Sequence, residues 1–166
     1  MSRALRAWDQ ALVAFASVFT QPSFVLFREL VWAWVLCPRR RTVTAMIRTI
    51  APHRRRPHDA YHRLLRAGAW SLSQLWRRLG LRLVESLTPQ GPLQLDLDDT
   101  LFHKTGRKID GAGIFRDAVR STVATVVYAR GLNLVVVTLR ILPPWRGEPL
   151  ALPINLRLYR KGGPSH

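Results

Sequence analysis

The sequence predicts an α+β protein: a helical front followed by antiparallel strands. Two observations carry this. Apolar residues recur at helical spacing from Leu5 to Leu83, and after residue 92 they alternate with polar ones in strand-like runs. Between the two patterns lies Thr88-Pro89-Gln90-Gly91-Pro92, a run of turn residues that ends helices and starts strands. Charge divides near the same place. Fifteen Arg against four acidic residues precede residue 96, net +11, and eleven basic against six acidic residues follow, net +5. The expected organisation is a strongly basic helical region, 1–90, and a sheet region, 91–166.

Taken in order, residues 2 to about 36 read as two helices hinged at Gln21-Pro22, with Ser23 able to cap the second. Leu5, Trp8, Leu12 and Phe15 form one apolar stripe; Phe24, Phe27, Leu30, Val31 and Trp34 form the other. Pro38 ends that helix and the cluster Arg39-Arg40-Arg41 follows. Thr42 to Ile47 reads as a short helix, and the second cluster Arg54-Arg55-Arg56 leads into another from His58. Two short helices around a basic connection predict a helix-turn-helix-like arrangement over about 42–66, or else a solvated basic linker between packed helices. In the first case His58, Tyr61, His62, Arg63 and Arg66 would face a groove or backbone. A further helical stripe runs from Trp70 to Leu83.

Beyond the boundary, Leu93, Leu95 and Leu97 alternate with Gln94, Asp96 and Asp98, a strand buried on one face at least. Gly106 to Arg120 reads as a loop plus a short helix, Leu132 to Arg140 as a β-branched strand, Pro143 to Pro149 as a turn and Leu152 to Arg160 as a third strand. This order predicts an antiparallel meander.

The composition narrows the function. A net charge of +16, carried almost wholly by Arg, points to a polyanion partner, nucleic acid first and anionic membrane second. The single cysteine, Cys37, excludes a disulfide framework and a four-cysteine zinc site, so the cytoplasm is the expected compartment. No segment reaches the roughly 18 uninterrupted apolar residues of a membrane span.

Chemistry concentrates at Asp96, Asp98 and Asp99. Carboxylates this close repel unless a cation sits among them, and hard oxygen donors suit magnesium. The bland alternative is turn capping by Asp98 and Asp99, with Asp96 solvated. Asp96-Leu97-Asp98-Asp99-Thr100 resembles the nucleophile motif of the haloacid-dehalogenase phosphatases, and Val135-Val136-Val137-Thr138 is similar to that superfamily's second motif. That family needs a further acidic pair, whereas after Asp117 only Glu148 remains.

A wider resemblance covers more of the chain. Leu97-Asp98-Asp99-Thr100-Leu101-Phe102-His103-Lys104-Thr105-Gly106-Arg107-Lys108 resembles the segment around the first catalytic aspartate of DDE-type insertion-sequence transposases. Gly111-Ala112-Gly113, Arg116 to Thr122, Gly131 to Val136, Pro143-Pro144-Trp145, Leu152 to Asn155 and Arg160 to Gly163 are similar to the same family. The resemblance implies the opening antiparallel strands of a ribonuclease-H-like mixed sheet behind a helical DNA-binding region. In that family three carboxylates hold two Mg²⁺ (or Mn²⁺) ions, which activate water or a DNA 3′-hydroxyl.

Carried over, Asp98 is the first catalytic carboxylate and metal ligand, with Asp99 and Asp96 as alternatives because one residue of register changes the face. Lys104, Arg107 and Lys108 would contact phosphate. Arg39, Arg40, Arg41, Arg54, Arg55, Arg56, Tyr61, His62 and Arg63 would contact DNA in the helical region. The implied partners are DNA at transposon ends and a second copy or an intact transposase subunit, with no membrane. The family's second Asp and final Glu belong to later elements, which are not found here. The expectation is therefore an N-terminal, truncated and inactive part with weak or no metal binding. A stand-alone DNA-binding or regulatory protein is the alternative.

Overall fold

The computed structural model describes residues 3–38, 40–88, 90–106, 108–143 and 145–160. It divides into two compact units, Met1–Arg78 and Leu79–His166. Five helices precede an open four-stranded antiparallel sheet, so the α+β class holds.

The first unit begins with α1 (Arg3–Val13), a 3₁₀ turn at Ala16–Val18, and α2 (Gln21–Leu36). Pro22 falls in the first turn of α2, where its missing N–H has no helical partner to lose. The cap position of α2 is Thr20 rather than Ser23, and the Thr20 hydroxyl donates to Ser23 Oγ at 3.1 Å. Short α3 (Val43–Thr49) is capped by Thr42, whose Oγ1 accepts the Ala45 N–H. After a 3₁₀ turn at Pro52–Arg54 comes α4 (His58–Ala67). Leu30, Ala33, Cys37, Met46, Ile47, Tyr61 and Leu64 form the core shared by α2, α3 and α4. Phe19 stacks on Phe27 at 4.5 Å and lies 5.7 Å from Trp70, extending this core with aromatic rings.

A charged network ties α1 to α2. Arg28 Nη2 donates to both Asp9 carboxylate oxygens at 2.6 Å, and Trp32 Nε1 donates to Asp9 at 3.3 Å. The Arg28 bonds, with lesser help from Trp32, hold the Asp9 carboxyl below the usual carboxylate range despite its desolvation. A depressed folded pKa contributes stability that is complete above the unfolded value, about 4, and disappears as pH falls through the folded one. The helical unit is therefore expected to lose thermal stability as pH falls below about 4, with a smaller loss in Asp9→Asn. Thermal melts followed by tryptophan fluorescence across that range check this. Equal acid sensitivity in both proteins would refute it.

Helix α5 (Leu72–Leu87) starts in the first unit and continues into the second. In the second unit, strand β3 (Tyr128–Ile141) is the shared partner of β1 (Gln94–His103), β2 (Gly113–Arg116) and β4 (Leu150–Tyr159). All pairings are antiparallel, as expected for a meander. At Gly131, opposite His103, a Cβ would run into the Phe102 carbonyl of β1. Pro153, opposite Thr138, borders a bulge at Ile154, since Val137 pairs with Asn155; Pro is tolerated at such irregularities of the ladder.

Three expectations change. β1 is longer than foreseen, running through Asp98 and Asp99 to His103, because Gly131 to Arg140 offer it a continuous partner. Its leucines are not buried: Leu95 is 54% and Leu97 71% exposed, because β1 is an edge strand with β3 on one side only. The short helix expected before Arg120 is replaced by β2, since Gly113 to Arg116 find backbone partners along Tyr128 to Gly131. No helix among the described residues is long and apolar enough to cross a membrane.

Candidate active-site strand and basic connector

Alternation along β1 sorts the three carboxylates. Asp96 and Asp98, opposite Thr138 and Val136, share one face; Asp99, opposite Val135, lies on the other. Each has a different environment. Arg140 grips Asp96 through Nε at 3.0 Å and Nη2 at 2.7 Å. These bonds, and the guanidinium charge behind them, hold Asp96 below the usual carboxylate range. Asp99 Oδ2 accepts from Asn133 Nδ2 at 3.1 Å. Asn133 Oδ1 is a buried acceptor without a partner among the described residues. Among the described residues Asp98 Oδ1 accepts only the adjacent Asp99 N–H, at 2.8 Å, and the residue is exposed.

The oxygen chemistry of β1 suits a hard cation. The arrangement does not fit a complete two-metal centre, because Asp96 is taken by Arg140 and Asp99 points away from Asp98. Among the described residues, no cluster of three His, Cys, Asp or Glu side chains converges on one point. Asp98 alone fits as one oxygen ligand.

At the end of β1 sits a pair that sequence reading overlooked. His103 Nε2 lies 2.7 Å from Asp117 Oδ2, and Asp117 is only 2% exposed, the one buried charged residue among those described. The Arg120 N–H donates to Asp117 Oδ1 at 3.1 Å, and the Arg120 guanidinium stands 3.6 Å away. Burial alone would raise the Asp117 carboxyl, but the Arg120 N–H, His103 and the Arg120 charge outweigh it and hold it low. The pair fastens the end of the Asp98 strand to the turn after β2. It left no local trace in the sequence, since the partners are 14 residues apart. Asp117→Ala is expected to raise amide exchange at Arg120 and Ser121 about tenfold or more. Unchanged protection would show that the carboxylate holds nothing in place.

The basic residues of the first unit separate into structural and open ones. Arg55 donates from Nε to Ile50 O at 2.7 Å and from Nη2 to Arg48 O at 2.9 Å, satisfying carbonyls at the end of α3. Arg41 does the same for Trp34 O of α2 at 3.0 Å. Arg56 Nε lies 4.0 Å from Glu29 Oε1. Arg40, Arg54 and Arg63 are exposed, with no side-chain hydrogen bond or ion pair among the described residues. Exposed Lys104 and Lys108 follow β1. Arg39 and Arg107 lie outside the described residues.

Tyr61 is a correction. Expected to face a groove, it is fully buried, and its hydroxyl donates to Glu29 Oε2 at 2.7 Å while accepting the Arg56 N–H at 3.1 Å. Its place on α4 puts it with Leu64 on the core face, so it cannot contact DNA without unfolding. His58, His62, Arg63 and Arg66 stay on exposed faces. The connector from Ile50 to Pro57 exceeds the roughly three or four residues of a compact helix-turn-helix. It borders a cleft of about 940 Å³ lined by Asp9, Arg28, Trp32, His53, Arg54 and Arg56 among others.

No curated protein and no solved structure matches the chain. The family model described as DDE superfamily endonuclease matches residues 17–162. That span takes in α2 to α5, the carboxylate-bearing β1 and the whole sheet. On this match the chain belongs to the DDE superfamily of endonucleases.

Proposed function

We propose that the chain acts in DNA transposition, with the helical unit holding DNA and Asp98 supplying the first carboxylate of the strand-cleaving site. The observation that carries this is Asp98 itself, exposed on the edge strand and without a cation partner among the described residues, within the family match. DDE endonucleases generally act on DNA and use divalent metal ions, which activate the attacking oxygen and stabilise the departing one. Lys104 and Lys108, just beyond β1, are placed in sequence to meet phosphate near that carboxylate. Exposed Arg40, Arg54 and Arg63 suit backbone contacts in the first unit, whereas Arg41 and Arg55 serve the fold.

Binding of the full chain to a labelled duplex, read by anisotropy over a salt series, tests the DNA reading. Affinity should fall steeply with salt, and Arg54→Ala and Arg63→Ala should each lower the slope by about one unit. Salt-independent or absent binding would sink it. The donor set on β1 favours a second reading, a DNA-binding regulator that does not cleave. Nicking of supercoiled DNA with Mg²⁺ separates the two. Nicking that drops about a hundredfold or more in Asp98→Ala marks the endonuclease. Binding without any nicking marks the regulator.

A further inference from the structure

The first turn of α4 carries two histidines four residues apart, His58 and His62. That spacing places both on one helix face. Their rings lie 4.5 Å apart between centroids, and their Nε2 atoms are 3.3 Å apart. Thr44 Oγ1, on α3, is 3.2 Å from His58 Nε2. On the other side of the His58 ring, Nδ1 lies 3.6 Å from the Asp59 carboxylate. All four side chains are open to solvent.

Packing does not explain this convergence, because none of the four belongs to the core. A separation of 3.3 Å is long for a hydrogen bond between two ring nitrogens. It matches another geometry. Two imidazole nitrogens bound to one tetrahedral ion at about 2.0–2.1 Å stand roughly 3.3–3.4 Å apart. Histidines at i and i+4 on a helix are also the spacing from which zinc chelates are built.

The geometry points to a transition-metal site in which His58 and His62 chelate one divalent ion of the zinc class through their Nε2 atoms. Thr44 Oγ1, 3.2 Å from the same His58 nitrogen, would be near enough to hydrogen-bond a water on the ion. The Asp59 carboxylate, 3.6 Å from His58 Nδ1, adds negative charge beside the chelating ring. Imidazole donors select zinc, nickel or copper over magnesium, so this site does not take the cation expected at Asp98. A bound ion would link the first and fifth residues of α4 and reach towards α3, bracing the helices on either side of the basic connector.

Calorimetric titration of the tag-free full chain with Zn²⁺, in a large excess of Mg²⁺, tests the site. The expected result is one Zn²⁺ per chain, undisturbed by Mg²⁺. His58→Ala and His62→Ala should each weaken binding about tenfold or more with unchanged circular dichroism. Asp98→Ala, His53→Ala and His103→Ala should bind as the unaltered chain does, whatever becomes of the DNA reading. Absence of saturable binding, full affinity in the His58→Ala/His62→Ala double variant, or loss in His53→Ala or His103→Ala would overturn the assignment.

Discussion

Replacing Tyr61 with Ala is expected to destabilise the helical unit by about 3–5 kcal/mol, the cost of emptying a large aromatic site in a packed core. Tyr61 is fully buried among Leu30, Ala33, Met46 and Leu64, so its removal leaves a void that α2, α3 and α4 cannot all close. The hydroxyl adds a second loss. Without it Glu29 loses its 2.7 Å donor and the Arg56 N–H its acceptor. Tyr61→Phe isolates that part and should cost about 1–3 kcal/mol. Against the 5–15 kcal/mol of a typical domain, the Ala variant leaves little margin near 37 °C. Urea titration read by tryptophan fluorescence suits the test, since five of the six Trp precede residue 79. A Tyr61→Ala protein with an unaltered midpoint and weakened DNA binding would restore the groove-facing role.

Leu139→Ala is expected to cost about 2–5 kcal/mol in the sheet unit. Leu139 is 0% exposed and stands on β3 between Leu95 of β1 and Leu152 of β4. Its loss loosens both ladders at once. The consequence reaches Asp98, because the pairing of β1 on β3 decides which face each carboxylate occupies. Amide exchange along Asp96 to Thr100 should accelerate together with that of Val135 to Leu139. A loss below about 1 kcal/mol, or acceleration confined to β4, would show that Leu139 does not anchor the acidic strand.

These two residues mark the division between local and long-range information. Helical spacing, the proline after α2, the Thr88 to Pro92 boundary and the alternating runs were legible because each depends on neighbours within a turn or a pleat. They suffice for the α+β class, for the helices followed by three long strands and for the antiparallel pairing, though not for β2. The carboxylate cluster was legible as well, since adjacent like charges are unusual whatever surrounds them.

Local pattern could not tell which residues are covered. Leu95 and Leu97 alternate like buried positions, yet β1 lies at a sheet edge and exposes them. Tyr61 has the composition of a DNA-facing residue, yet the rotation of α4 against α2 buries it. β2 exists only because β3 extends back to Tyr128 and offers backbone partners to a segment with little pattern of its own.

By itself the sequence determined the helical front and the three long strands with their order, the excess of Arg and the presence of three candidate carboxylates, but not β2. Tertiary structure alone decided that Arg140 occupies Asp96, that Asn133 meets Asp99 on the opposite face and that Asp98 is left open. It likewise joined His103 to a buried Asp117. The reason is geometric: chemistry at a strand depends on which residues stand across the ladder, and residues 34 to 44 positions apart become neighbours only through register.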